Sequence, residues 1–261
     1  RIMHAIVDEK KGPEKLLGNL NETSVNSSHE LLNKNLNKDG YLFFKNVVAS
    51  KEVELARNEV FKKLYEINEI KEPYNEGVFS GKSDRDVLYE DRGNFWKGVS
   101  DLDVLRKITN GKTLHNIFDN IFGSPSIGFD FIFLRPVANG KSTKMHCDSG
   151  FFTRKTKKVL TCWFVFTEIS LDRGPLFIIE NSHKFEDLKN QYLDFDVAIH
   201  KDRKAMINVD PIEFAKQRDS KILTTHFKPG DALIFGMYTL HGTFQNHAID
   251  NKIRLTCDIR Y

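Results

Sequence analysis

Residues 253–261 read Ile-Arg-Leu-Thr-Cys-Asp-Ile-Arg-Tyr, and the alternation is strict. Successive side chains of a strand point to opposite faces. Ile253, Leu255, Cys257 and Ile259 therefore share one face, and Arg254, Thr256, Asp258 and Arg260 share the other. The apolar face needs a core. The polar face needs either bulk water, as on a solvated edge strand, or a polar cavity. A chain carrying such a strand is expected to be mainly β.

In mid-chain, Lys144-Met145-His146-Cys147-Asp148 places an imidazole and a carboxylate two residues apart. On a strand, positions i and i+2 face the same side, so His146 and Asp148 can grip one metal together. His241 comes much later, after the apolar run Ala232-Leu233-Ile234-Phe235 and a second apolar stretch. Two imidazoles and one carboxylate on one face of an octahedron form the metal set of non-haem Fe(II) oxygenases, with the remaining positions open. A His-x-Asp followed by a distant His is common by chance, and ordinary core or surface histidines are the usual meaning of the pattern. The surroundings of each half carry the argument further.

Pro229-Gly230-Asp231 is a turn signal, because Pro fixes φ and Gly permits positive φ. The short apolar run after it reads as a buried strand. Gly242, just past His241, lets another backbone or side chain approach closely. If the polar face of 253–261 lines a cavity, Arg254 and Thr256 line the one His241 faces.

Together these segments resemble the phytanoyl-CoA dioxygenase-like family of Fe(II)/2-oxoglutarate oxygenases. The resemblance covers most of the chain. Gly40-Tyr41-Leu42-Phe43-Phe44-Lys45-Asn46-Val47 looks like the family's opening strand, and His146-Cys147-Asp148 matches its metal motif. Leu160-Thr161-Cys162-Trp163-Phe164-Val165-Phe166 matches the strand after that motif. Gly174-Pro175-Leu176 through Asn181-Ser182-His183 is similar to the family's Gly-x-Leu…Gly-Ser-His segment, with Asn181 where Gly is usual. His241 and Arg254-Leu255-Thr256 match the distal His and the Arg-x-Ser/Thr.

The resemblance implies a double-stranded β-helix, a jelly-roll barrel of the cupin-like kind. It implies Fe(II) on His146, Asp148 and His241, with 2-oxoglutarate and O2 as co-substrates. The far carboxylate of 2-oxoglutarate would meet Arg254, with Thr256 beside it and Trp163 as a wall. A planar guanidinium suits that task because it matches a carboxylate bidentately and keeps its charge. Arg260, on the same strand face, is the competitor for Arg254. Trp163 is equally readable as a core aromatic. Related halogenases lack the metal-binding carboxylate, so Asp148 points to oxygenation rather than halide transfer.

Composition narrows the classes. The 261 residues are 40% hydrophobic with 21 Phe, enough for one domain with a large core. A net charge of +3 without a dense basic block argues against a nucleic-acid partner. No apolar run approaches a membrane span. Cys147, Cys162 and Cys257 have no framework spacing and read as reduced thiols, favouring a cytoplasmic setting. The chain begins at Arg1 rather than Met, which leaves a trimmed leader open. Nothing in the sequence fixes an oligomeric state.

One domain spanning 1–261 is expected. Residues 1–37 read as a polar, loose or helical extension. Residues 38–127 carry the first strand, supporting helices and a loop, and 128–261 the barrel. Ser50 is a plausible N-cap for a helix over 51–67, with Val53, Ala56, Val60 and Leu64 on one face. Residues 72–98, with Pro73, Gly77, Gly81 and Gly93, read as irregular. A second helix is expected over Lys112–Phe122, and a strand over 129–135. Residues 183–220 form a charged insertion that, with 72–98, could cover the mouth of the barrel.

Lys141, Lys144, Arg154, Lys155, Lys157 and Lys158 surround the metal motif and would attract an anion if turned inward. Arg92, Arg135, Lys144 and Arg154 are the candidates for binding a small, anionic metabolite. His183 reads as structural; His200, His226 and His247 read as surface or core. The function expected is a dioxygenase that hydroxylates or oxidatively cyclises such a metabolite, forming succinate and CO2 from 2-oxoglutarate. The alternatives are a cupin-type isomerase or hydrolase and a non-catalytic ligand-binding module. A deep Arg-x-Thr beside the distal ligand has no purpose in the first, and an intact metal triad argues against the second.

Overall fold

The computed structural model describes residues 16–152, 156 and 158–261. Strand β1 (Leu17–Asn19) comes first. Helix α1 (His29–Asp39) follows; Ser28 caps it by accepting from the Leu31 N–H at 3.3 Å. Gly40, at φ 79°, ends it and donates back to Leu36 O, which satisfies one of the last carbonyls. Strand β2 (Tyr41–Phe44) leaves directly from that turn. Helix α2 (Ser50–Glu66) buries Val53, Ala56, Val60, Phe61 and Leu64. Its N-cap is Ala49, with no side-chain cap bond, so Ser50 lies inside the helix rather than capping it.

The stretch 72–98 is less irregular than its glycines suggest. After a 3-10 turn at Tyr74–Glu76 come α3 (Arg85–Leu88) and α4 (Arg92–Ser100), then α5 (Asp103–Thr109) and α6 (Lys112–Phe122). Asp91 starts α4 by accepting from the Gly93 N–H at 2.7 Å. A cap contributes about 1 kcal/mol, enough to offset one of the two glycines in this helix. The buried stripe of α6 is Leu114, Ile117, Phe118 and Ile121, with Gly123 at φ 67° past its end.

The remaining elements are β3 (Phe133–Val137), α7 (Ser149–Phe152), β4 (Leu160–Val165) and β5 (Leu176–Ile179). Then come α8 (Glu186–Tyr192), α9 (Pro211–Gln217), β6 (Ile222–Thr224), β7 (Ala232–Gly236), β8 (His241–Thr243) and β9 (Arg254–Arg260). They form two sheets, ordered β1-β6-β5-β8 and β2-β7-β4-β9-β3. This is the double-stranded β-helix arrangement with flanking helices. The polar extension hid a strand: Leu17, Gly18 and Asn19 pair in parallel with Ile222, Leu223 and Thr224. The strand expected over 129–135 begins later, at Phe133.

Three apolar clusters follow from the strand alternation. Leu255, Cys257 and Ile259 pack outward with Cys162, Phe164 and Ile234 against α2 and α6. Trp163, Val165, Leu233, Phe235, Leu176 and Ile178 fill the space between the sheets. Phe177, Ile179 and Leu240 pack on the far side against Leu188, Tyr192 and Phe214 of the insertion. The insertion is therefore a helical layer on the β1-β6-β5-β8 sheet. Burying each such side chain contributes roughly 1.5–3 kcal/mol. All three cysteines are buried and unpaired, and no helix among the described residues is long and apolar enough to cross a membrane.

Candidate metal and co-substrate site

The polar face of β9 points between the sheets. Arg254, Thr256, Asp258 and Arg260 are all buried there. Across the β4–β9 pairing, Thr256 stands opposite Val165, Asp258 opposite Trp163, and Arg260 opposite Thr161. The face is buried between the sheets rather than turned to bulk water.

His146 does not lie on a regular strand. It forms isolated bridges to His241 and Met206, and Asp148 immediately precedes α7. What aligns the ligands is backbone pairing: His146 N–H donates to His241 O at 2.9 Å, and His241 N–H donates to His146 O at 3.0 Å. The two rings stand 4.4 Å apart, centroid to centroid. His146 Nδ1 lies 2.8 Å from Lys144 O, and His241 Nδ1 lies 2.9 Å from Thr239 O. A carbonyl only accepts, so both Nδ1 atoms carry the proton and both Nε2 atoms keep a lone pair. Those Nε2 atoms face Asp148 Oδ1, at 3.5 Å from His146 and 4.0 Å from His241. The three donor atoms lie within 4.8 Å of one another, close enough that a metal ion about 2 Å from each would need only a small inward shift of the side chains. Burial, with His146 close by, pulls His241 down to about 4, so the ring stays neutral and ready to ligate.

Asp148 Oδ2 is held separately. Thr161 donates to it at 2.6 Å and Arg260 Nη2 at 3.0 Å. Burial opposes ionisation of Asp148, yet the Arg260 guanidinium beside it keeps the carboxyl well below the usual carboxylate range. Arg260 thus holds the metal-binding carboxylate through Nη2. Cys147, between the ligands, turns away and donates its S–H to Tyr238 O at 3.4 Å.

Arg254 is fully buried. Its Nη1 donates to Gly174 O, while its Nε has no partner. Thr256 Oγ1, on the same strand face, also has none. Buried polar groups are rarely left unpaired, and such orphans mark the place of a ligand. Burial pulls the Arg254 guanidinium down to about 9. A guanidinium stays charged in proteins, so this is a cost that an arriving carboxylate offsets. Donors and charge here fit one end of a dicarboxylate, and the two histidines with Asp148 fit a divalent metal. Gly174, at φ 71°, leaves no room for a side chain against Phe244 and Asn246, which sets its carbonyl in reach of Arg254. Trp163 packs edge-on to Phe227 at 4.9 Å within the apolar interior.

The candidate substrate residues separate. Arg135 enters the cavity face, opposite Thr256, and binds Asp258 Oδ2 through Nε and Nη2, both at 2.8 Å. Lys144 instead reaches Asn208 Oδ1 on the insertion at 3.2 Å and is exposed. Arg92 opens α4. Arg154, with Lys155 and Lys157, lies outside the described residues. His183 is structural: its Nε2 bonds Asn37 O at 3.1 Å, and its ring fills the space beside Gly40. His226 pairs with Glu168 at the surface. Asn181 sits at φ 59°, a conformation Gly adopts freely. Sequence reasoning missed the Arg260–Asp148 and Arg135–Asp258 pairs, whose members lie more than 100 residues apart in the chain.

The insertion touches the metal motif through its backbone. Ile207 N–H donates to Met145 O at 2.8 Å, and Val197 N–H to Gly150 O at 3.0 Å.

The phytanoyl-CoA dioxygenase (PhyH) family model matches residues 36–253. Among curated proteins none matches. The carbocyclase SnoK from nogalamycin biosynthesis, described as non-heme and alpha-ketoglutarate dependent, is a similar solved structure. Its TM-score is 0.59 and its identity 17%, over 93% of this chain and 87% of that one. The epimerase SnoN, solved with Fe3+, alpha ketoglutarate and nogalamycin RO, has a TM-score of 0.57 at 17% identity, over 89% and 82%. EctD from S. alaskensis has a TM-score of 0.57 at 14% identity, over 94% and 80%. At these identities the likeness is one of fold.

Proposed function

The chain belongs to the phytanoyl-CoA dioxygenase family, and on that premise we propose that it is an Fe(II)/2-oxoglutarate-dependent dioxygenase that hydroxylates or oxidatively cyclises a small anionic metabolite. One observation carries the reading: Arg254 Nε and Thr256 Oγ1 are buried and unpartnered on the strand face that also carries the partner of Asp148. A barrel that only isomerises or hydrolyses at its metal has no use for a buried, unsatisfied guanidinium.

His146, Asp148 and His241 would hold the iron, and Arg254 with Thr256 the far carboxylate of 2-oxoglutarate. When bound, the two supply an oxidant from O2 as 2-oxoglutarate is converted to succinate and CO2. The chain does the rest. Lys144 O and Thr239 O fix the tautomers of the two imidazoles. Thr161 and Arg260 fix the Asp148 carboxylate so that only Oδ1 faces the histidines. Held through Oδ1 alone, Asp148 would leave room at the metal for co-substrate and O2. The apolar residues around Trp163 exclude water from the inner cavity, strengthening each charge interaction there. Similar structures are named a carbocyclase and an epimerase, which keeps ring closure within the reading beside hydroxylation.

The test is succinate formation with Fe(II) and 2-oxoglutarate across amino acids, phosphonates and CoA esters. Substrate-stimulated succinate in wild type, lost in Arg254→Gln, is the expected result. A protein that binds no 2-oxoglutarate would overturn the assignment.

A further inference from the structure

Strand β3 is the outer strand of its sheet, and its inward residues are not covered as those of β4 and β9 are. Phe133 stands opposite Asp258 and Arg135 opposite Thr256, so both belong to the cavity face. Both are only half-buried, and Phe131, two residues earlier, is 56% exposed. The Phe131 and Phe133 rings meet edge-to-face at 4.5 Å, and Phe152 of α7 completes the group at 5.9 Å from Phe133. Arg260 Cζ lies 4.1 Å from the Phe152 ring centre and 5.0 Å from that of Phe133. Since Arg260 also bonds Asp148, this aromatic wall borders the metal site directly.

Arg260 is 3% exposed and spends only Nη2 on Asp148; its Nε and Nη1 have no partner. Orphaned donors on a buried cation cost more than neutral ones, and an acceptor that takes them recovers that cost. Uncovered apolar rings beside such donors are the usual make-up of a small-molecule site.

Charge sets the class further. Among the described residues this face carries three guanidiniums, Arg135, Arg254 and Arg260, against two carboxylates, Asp148 and Asp258. A divalent metal and a dianionic co-substrate cancel one another. One positive charge is left to match.

We infer that the substrate is an amphipathic monoanion, its charged group on the free donors of Arg260 and its apolar body on Phe131, Phe133 and Phe152. The inference rests on the oxygenase reading for the metal and co-substrate that share the cavity. It narrows the substrate from small polar anions to molecules with a ring or hydrocarbon body. Arg135, which meets Asp258 through the Nε–Nη2 edge of its guanidinium, lies next along β3 to offer donors to a second acceptor atom.

The experiment uses 2-naphthoate as probe, read by its own fluorescence anisotropy, on protein loaded with Mn(II) and 2-oxoglutarate. Manganese occupancy is checked by electron paramagnetic resonance. Naphthoate is expected to bind at least tenfold more tightly than uncharged 2-naphthalenemethanol, and more tightly than glutamate or phosphate measured by competition. Phe131→Ser, at an exposed position, is expected to weaken naphthoate at least fivefold. Arg260→Gln at full manganese occupancy is expected to erase the preference for naphthoate over the alcohol. Failure of naphthoate to bind wild type, or Phe131→Ser and Phe133→Ser both leaving its affinity unchanged, overturns the inference. The visible absorption of Fe(II) with 2-oxoglutarate, recorded anaerobically, tests the oxygenase reading separately. If that absorption forms while naphthoate fails, only the substrate class falls.

Discussion

Arg260 Nη2 reaches Asp148 Oδ2 at 3.0 Å across 112 residues of sequence, and in doing so leaves Asp148 Oδ1 as the oxygen facing both histidines. Carboxylate orientation at this site is set from the last strand. Arg260→Gln is expected to weaken Mn(II) or Fe(II) binding roughly ten- to hundredfold, the usual effect of removing a residue that orients a ligand. Thr161→Val, which removes the second donor to Oδ2, should act in the same direction and less strongly. Metal titration calorimetry checks both. Unchanged affinity in both variants would show that Asp148 needs neither partner.

Arg254→Gln separates the two arginines. Loss of one partner of a buried charge pair costs about 3–5 kcal/mol, so the dissociation constant for 2-oxoglutarate should rise by two to three orders of magnitude or more. Thr256→Val should cost about 1 kcal/mol, several-fold. Metal affinity should be nearly unaffected in both. If Arg260→Gln, and not Arg254→Gln, destroyed co-substrate binding at full metal occupancy, the assignment of the two arginines would be reversed.

Asp148→Ala should abolish substrate-stimulated succinate production. It should also lower the melting temperature, because it strands the Arg260 guanidinium among Phe133 and Phe152. Asp148→Asn keeps the shape and an oxygen for Arg260. It is expected to recover much of the stability without the activity. Full turnover in Asp148→Ala would sink the proposed mechanism.

The metal-free protein should lose stability as pH falls from about 6.5 toward 4. His241 is held down to about 4 by burial, whereas an unfolded-chain histidine titrates near 6.5. Between those values the unfolded state binds more protons, so stability rises with pH there and is lost on acidification. The effect is on the order of a few kcal/mol; saturating Mn(II) should raise stability at neutral pH and carry the loss on acidification further below pH 4, because metal at Nε2 keeps the folded state from taking the proton. Thermal melts across that range, with and without metal, supply the check. A flat profile without metal would mean that His241 is protonated as readily in the folded protein.

The triad and the inward polar face of β9 were legible because period-two alternation and ligand spacing are local properties of the chain. The same holds for the buried stripes of α2 and α6. The partner of Arg260 was not legible. Its position opposite Thr161 exists only once β4 and β9 pair, and sequence spacing carries no register between strands so far apart. Strand β1 was missed because Leu17, Gly18 and Asn19 show no alternation; they extend because β6 offers them an edge. Helix α4 was missed because glycines masked it, although Asp91 caps it. Lys144 was a substrate candidate only if turned inward, and Asn208 on the insertion offers its ammonium a partner in water, where a cation is cheapest to keep.

Strand β9 is last in sequence yet sits between β4 and β3, not at a sheet edge. Until it is made, β3 has no partner in its sheet, and β4 exposes one side of its ladder. The residues that orient Asp148 and offer charge to a dicarboxylate are then missing as well. Loop closure over such separations is slow, and unpaired strand edges are prone to wrong pairing while it proceeds. The sheet and the site are therefore completed by one pairing, and a chain truncated before Arg254 would expose a gap that other strands can fill.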